Sequence, residues 1–442
     1  PLQMDLSLVP SHIDWALRFS TIEPAVKAAG KMLWNKSLRD SLTAVDPTIR
    51  SEMLVPWLQR TAQQQIEIPA QGDGGRGMDR FFRTIRKRSG LNIMALNVVN
   101  TIEQVTGFSL AAVKVKPSYL RNALWAYSRQ PSVMAENVNE KSEYMRSNKL
   151  SKSAYEVQQA IAELLLQPNK YQQVKEFAEK HGFLLQRGAQ NAVDLVVWMG
   201  AYDQAVSKGL SESVAVTEAD SIVRQTQGSG AAEDISRAET GTAFVRLFTM
   251  FWGYFNMQAN LLGSEFANIP REMGLKKGAG RALWIYTMGF MIPAILSGLL
   301  RKAAGGGLDE DDDDEYMDDF LDVFFNGQFR LATAMVPFVG QLAQAGVNRF
   351  NDKVYDDRVA LSPAVNTLEG VVGTPYSVYQ AIANDGSKKR AVKDVLSAIG
   401  VLTGYPAGAL SRPIGYGIDV YEGDAEPTGP IDFTRGLVTG RR

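Results

Sequence analysis

The chain has no cysteine at all. That one absence removes disulfides, thiolate metal sites and cysteine nucleophiles from consideration. Histidine is nearly as scarce, with only His12 and His181 present. A cage of histidine ligands is therefore impossible. A histidine-based catalytic apparatus has no visible second member, so both rings are expected in structural or solvated roles. The phosphate-binding, nucleophile-elbow, zinc-protease and kinase signatures are missing too. The loops Gly72-Asp73-Gly74-Gly75 and Gly228-Ser229-Gly230 lack the lysine and the preceding strand that a phosphate cradle needs. No enzyme, cofactor or metal is expected in this region.

Net charge is also nearly absent, at −1 over 442 residues. Its distribution is what informs. Arg76 to Arg129 holds ten basic and two acidic residues, whereas Asp309 to Asp322 holds ten acidic residues and no basic one. Opposed blocks of this kind point to different partners for different regions. The acidic run from Asp309 to Glu315 fails as a calcium loop. Counted from Asp309, Asp314 falls where glycine is required and Phe320 where the bidentate glutamate belongs. A solvated, self-repelling loop over 309–319 is expected. The chain begins Pro1-Leu2-Gln3 with nothing that reads as a signal peptide, which leads us to expect a processed product or part of a longer protein.

Helical periodicity dominates and strand signals are few, so an all-α, extended multi-helix architecture is predicted. Ser153 to Glu156 has capping-box form, with Val157, Ile161, Leu164 and Leu165 following at helical spacing. A polar amphipathic helix over Lys170–Glu179 comes next. Helices are then predicted over Ala189–Val206 and Ser211–Thr226, with Gly200 inside the first marking a close helix–helix approach. Gln71 to Gly77 reads as a flexible loop between helical parts. Prolines 363, 375, 406, 413, 427 and 430 lead us to expect an extended, draped tail. The resulting organisation is an N-terminal helical region (1–75), a basic helical region (76–150), a helical bundle (151–240), an apolar helical hairpin region (241–350) and a Gly/Pro-rich tail (351–442).

Three stretches carry no charge over a helix-spanning length: Leu247–Ser264, Ala282–Leu300 and Leu331–Asn348. The middle one is the most apolar, and about 20 such residues cross a bilayer core. Trp284 and Tyr286 sit near one end, with Lys276, Lys277 and Arg281 on one flank and Arg301 and Lys302 on the other. Gly289, Pro293 and Gly298 weaken a soluble helix but are better tolerated in a membrane. The outer two stretches contain amides, among them Asn256, Gln258, Gln341 and Gln344, which inside a bundle need internal partners. Candidate membrane or channel residues are Trp252, Tyr254, Phe255, Trp284, Tyr286, Ile292, Pro293, Leu296 and Phe338. The competing reading is a buried central helix of a soluble bundle.

Arg80, Arg83, Arg86, Lys87 and Arg88 interleave with Phe81, Phe82 and Ile85, and helical spacing puts Arg80, Arg83 and Lys87 on one face. Such a stripe suits nucleic-acid phosphate, lipid headgroups or an acidic protein, or is a plain solvated face.

The stretch Asp194–Asn256 resembles a segment of very large phage proteins, those called polyvalent or internal virion (DNA-ejection) proteins. The resemblance runs through Asp194-Leu195-Val196-Val197-Trp198-Met199-Gly200-Ala201-Tyr202 and Ala219-Asp220. It continues over Arg224-Gln225-Thr226-Gln227-Gly228-Ser229, Asp234-Ile235-Ser236 and Leu247 to Asn256. Arg412-Pro413 and Arg435-Gly436-Leu437 also look like the ends of such chains. The resemblance implies a C-terminal portion of a protein packed in the virion interior that later crosses into the host envelope. It implies a homo-oligomer that meets portal or other ejection proteins, double-stranded DNA without sequence preference, and the host membrane. It implies a conduit for genome delivery and no reaction. Rival readings are a structural virion protein that never enters a membrane, a non-catalytic part of a large virion enzyme, and an ordinary bacterial membrane protein.

Overall fold

The computed structural model describes residues 20, 23–63, 72–94, 101, 104–148, 184–228, 234–250, 252–272, 274–297, 328, 332, 335, 363–383, 388–403 and 407–439. These contain 17 α-helices and, among the described residues, no strand. The protein is all-α. The helices predicted from Ser153 and over Lys170–Glu179, both histidines, the acidic run and the Leu331–Asn348 stretch as a helix lie outside the described residues.

Three short helices open the chain: α1 (Glu23–Trp34), α2 (Lys36–Val45) and α3 (Val55–Gln63). Asn35 starts α2 by accepting the Ser37 amide at 3.0 Å, which satisfies one of the donors that a helix N-terminus leaves open. Next come α4 (Gly72–Met94), α5 (Gly107–Ala111), α6 (Pro117–Arg129), α7 (Pro131–Lys141) and α8 (Glu143–Asn148). Pro117 and Pro131 each stand in the first turn of their helix, where the missing N–H has no intrahelical partner to lose.

The main core forms around α9 (Leu184–Ser207), flanked by α6 and by α10 (Glu212–Gln227). Leu195, Val196, Val197, Trp198, Ala201 and Ala205 are buried along α9. Gly200 marks the expected close approach: a Cβ there would lie 3.2 Å from the Leu120 side chain and 3.3 Å from the backbone of α6. Ser211 stands immediately before α10, where the periodicity placed its start.

Three expectations are corrected. Residues 72–77 are not a loop but the first turns of α4. Its buried residues Ile85, Ser89 and Gly90 lie in a helix that packs against later ones, and that tertiary burial outweighs the poor helix propensity of glycine. Leu247–Ser264 is not one helix: α11 (Ala243–Phe248) ends at Thr249, and α12 (Trp252–Glu272) starts after a turn in which the Trp252 amide donates to the Thr249 carbonyl. The C-terminal tail is not extended. It folds as α14 (Pro363–Ala383), α15 (Lys388–Thr403), α16 (Ser411–Glu422) and α17 (Pro430–Thr439), with α13 (Gly274–Tyr286) preceding them.

The prolines explain why the tail misleads. Pro363 and Pro430 begin their helices and Pro413 lies in the first turn of α16, so three of them start helices instead of forbidding them. Pro375 is the exception, standing inside α14. The four helices pack in sequence, α14 on α15, α15 on α16 and α16 on α17. Lys388 pairs with Glu422 at 2.7 Å and Lys389 pairs with Asp419 across the α15–α16 seam. Gly423, at φ 77°, ends α16 in the left-handed conformation that a side chain disfavours.

Candidate membrane-engaging hairpin

The apolar region folds as a hairpin of α12 and α13. Beyond α13 the helix continues through a π-helical turn, Thr287–Met291, to Ser297. Gly278–Ser297 is 20 residues long and, among the described residues, the one helix long and apolar enough to cross a membrane. At 1.5 Å per residue it spans about 30 Å, the thickness of a bilayer core. A core helix of a soluble bundle meets the same criteria of length and composition but is mostly buried. Here 22% of the most apolar window is fully buried and most of the rest is half-buried. Leu283 is 66% exposed and Tyr286 40%.

One face of the hairpin packs on a second, smaller core of Leu110, Val113, Leu261, Leu262, Ile269 and Ile285. The interior of that contact contains a polar repair. Pro293 has no N–H to give the carbonyl four residues earlier, that of Gly289. The helix slips register just before it, with the Ile292 amide reaching the Thr287 carbonyl five residues back. The Gly289 carbonyl instead accepts a 2.7 Å hydrogen bond from Gln258 Nε2 on α12. Gln258 is fully buried. Gly289 makes this approach possible, because a Cβ there would stand 2.4 Å from Leu262 Cδ2. The amide that the sequence required to find an internal partner has found one, at the backbone gap that proline opens.

At the other end of the hairpin Glu265, 9% exposed, joins three elements. It meets Lys114 Nζ at 2.5 Å and Arg281 Nη2 at 2.5 Å, and Arg281 also donates to the Val113 carbonyl at 2.7 Å. Burial pushes the Glu265 carboxyl up, but hydrogen bonds and charge from Lys114 and Arg281 outweigh it and hold the group below its ordinary range. Trp284 adds a 2.9 Å bond from Nε1 to the Ala112 carbonyl. The hairpin is thus fastened to the turn at residues 112–114 by three side chains.

The candidate apolar residues divide between these two settings. Ile292 and Leu296 are half-buried, Pro293 is buried, and the Tyr286 hydroxyl donates to Gln328 Oε1. Tyr254 is 39% exposed and Phe255 half-buried, the two rings meeting edge to face. Trp252 is half-buried, with an indole N–H that has no hydrogen-bond partner among the described residues. Phe338 lies outside them. Glu265 and Lys114 were not singled out by sequence. The only signal was that Glu265 is the first charge after an uncharged stretch, and pairing across 151 residues leaves no local pattern.

The basic stripe on α4 is smaller than its composition. Arg80 and Arg83 are exposed, but Arg86 is buried. Arg88 donates to the carbonyls of Val401, at 2.8 Å, and Leu402, at 2.5 Å, capping the C-terminus of α15. Arg86 and Arg88 therefore leave the solvent-facing stripe, because tertiary contacts claim them. The Lys87 side chain lies outside the described residues.

The residues that carry the phage resemblance do structural work. Asp220 accepts from Trp198 Nε1 at 2.7 Å and from Ser142 Oγ at 2.6 Å, and Tyr202 stacks on Trp198. Gln227 donates to the Gly107 carbonyl at 2.9 Å, and Ser236 with Glu239 forms a capping box. Arg60 ties α3 to the Ile235 carbonyl at 2.8 Å. These contacts assemble a scaffold.

An open groove of 560 Å³ is lined by Lys114, Lys208, Thr217, Glu218, Ser221 and Gln225, among others. Both of its lysines already meet a carboxylate, Lys114 at Glu265 and Lys208 at Glu218. Among the described residues, no group of three metal-ligating side chains converges. No protein-family model, no curated protein and no solved structure matches this chain.

Proposed function

We propose that this chain is a non-catalytic, membrane-engaging protein of the phage ejection type, with the α12–α13 hairpin as the element that enters the bilayer. One observation carries the reading. A helix of spanning length has only 22% of its apolar window fully buried, and the Gly289 carbonyl that Pro293 leaves open is met from within the hairpin by Gln258. The phage resemblance supplies the setting: a virion protein that oligomerises, meets portal or other ejection proteins and non-specific double-stranded DNA, and helps a genome cross the host envelope. Exposed Arg80 and Arg83 are the part of the α4 stripe suited to phosphate.

The test is co-flotation of the purified chain with neutral phosphatidylcholine vesicles, paired with release of a trapped dye. Both are expected for the native chain and both are expected to vanish in Ile292→Asp, since an aspartate in the middle of a span costs about 3 kcal/mol. A native chain that stays in solution and leaves the dye trapped would favour the structural virion reading, with the hairpin as a contact between subunits.

A further inference from the structure

Helix α6 buries Leu120 and Ala123 and turns another face to solvent. On that face Arg121, Trp125 and Arg129 follow at four-residue spacing, which aligns them in one stripe. The Arg129 guanidinium lies 3.7 Å from the centre of the Trp125 ring. Trp125 is 58% exposed, with Leu124 at 45% and Val133 of α7 at 49%.

The segment that carries this stripe has charge of one sign, with the exposed Glu136 of α7 just beyond it. No aspartate or glutamate occurs from Gln104 to Ala135. Lys116, Arg121 and Arg129 are exposed, and none of the three has a carboxylate partner among the described residues. Elsewhere the exposed cations Lys141 and Lys208 are paired, with Glu212 and Glu218.

We infer that this face of α6 is a docking site for an anionic phospholipid surface. The inference rests on the membrane reading of the hairpin and supplies its peripheral anchor. Trp125 suits the headgroup level, where an amphipathic ring has one wet and one dry side. Arg121 and Arg129 suit headgroup phosphates as bidentate donors. Leu124 and Val133 favour lipid over nucleic-acid phosphate, since exposed aliphatic side chains gain from entering the acyl boundary and nothing from a phosphate. The turn that leads into α6 is the same one that Trp284 and Arg281 grip, through the carbonyls of Ala112 and Val113. A chain docked by α6 thus brings the base of the candidate span to the membrane.

The test uses the full chain and a triple variant, Arg121→Gln, Trp125→Ala and Arg129→Gln, whose matched thermal unfolding confirms that the exposed sites are not structural. On vesicles containing phosphatidylglycerol the variant should bind about tenfold more weakly, and the salt sensitivity of binding should largely disappear. On neutral vesicles it should float and release dye as the native chain does. Equal binding of variant and native chain to anionic vesicles would overturn the inference. So would a loss confined to retention on double-stranded DNA. Failure of the hairpin reading is separable: there, Ile292→Asp would leak neutral vesicles like the native chain, whatever the α6 variant does.

Discussion

At the scale of single residues, the hairpin turns on Gln258, Gly289 and Pro293. Removing the amide strands a buried carbonyl, which typically costs about 1–3 kcal/mol. Gln258 Oε1 is itself buried without a hydrogen-bond partner, so Gln258→Leu also removes an unsatisfied acceptor and should cost about 1 kcal/mol. The sharper expectation is a coupling. In a Pro293→Ala background the restored N–H competes for the Gly289 carbonyl, so Gln258→Leu should then cost almost nothing. A denaturant double-mutant cycle measures it, and additive effects would show that the proline and the amide are unrelated. Gly289→Ala should destabilise by about 1–3 kcal/mol through overpacking against Leu262. Proline, glycine and glutamine were each conspicuous in the sequence. That they form one arrangement was not legible, because Gln258 and Gly289 are 31 positions apart.

At the scale of elements, the Glu265 junction decides how the hairpin holds to the body of the protein. Its carboxyl titrates below the ordinary value of about 4.3 that it has in the unfolded chain. The unfolded state therefore binds the proton first as pH falls. The stabilisation is complete above the unfolded value and is lost as pH falls through the lower, folded one. The thermal midpoint should be flat near neutrality and decline in that acid window. Glu265→Gln should lower stability at pH 7 by about 2 kcal/mol and flatten the acid decline, as thermal scans across pH would record. An unchanged acid decline in the variant would mean that other carboxylates set it. The helices α9 and α10 were legible from periodicity, since they carry their own apolar faces. The start of α4 and the C-terminal helices were not, because glycine and proline argue locally against helix and only packing overrides them.

At the scale of the whole molecule, long-range polar ties bind distant parts of the chain into shared cores. Arg88 reaches across 313 positions to the end of α15, and Arg60 reaches across 175 to the start of the segment before α11. Arg88→Ala should cost about 1–2 kcal/mol and speed hydrogen exchange across Lys388–Thr403 more than across α9. Uniform acceleration would instead mean that the capping bond supports the whole fold. What the sequence determined by itself is the helical class, an apolar segment of bilayer-spanning length and the lack of cysteine chemistry, because composition and periodicity are local properties of the chain. Tertiary structure alone decided which arginines of the stripe stay exposed, which carbonyl the buried amide serves and that the proline-rich end is helical. Each of those depends on a residue far away in sequence, and burial, not local propensity, sets its energy.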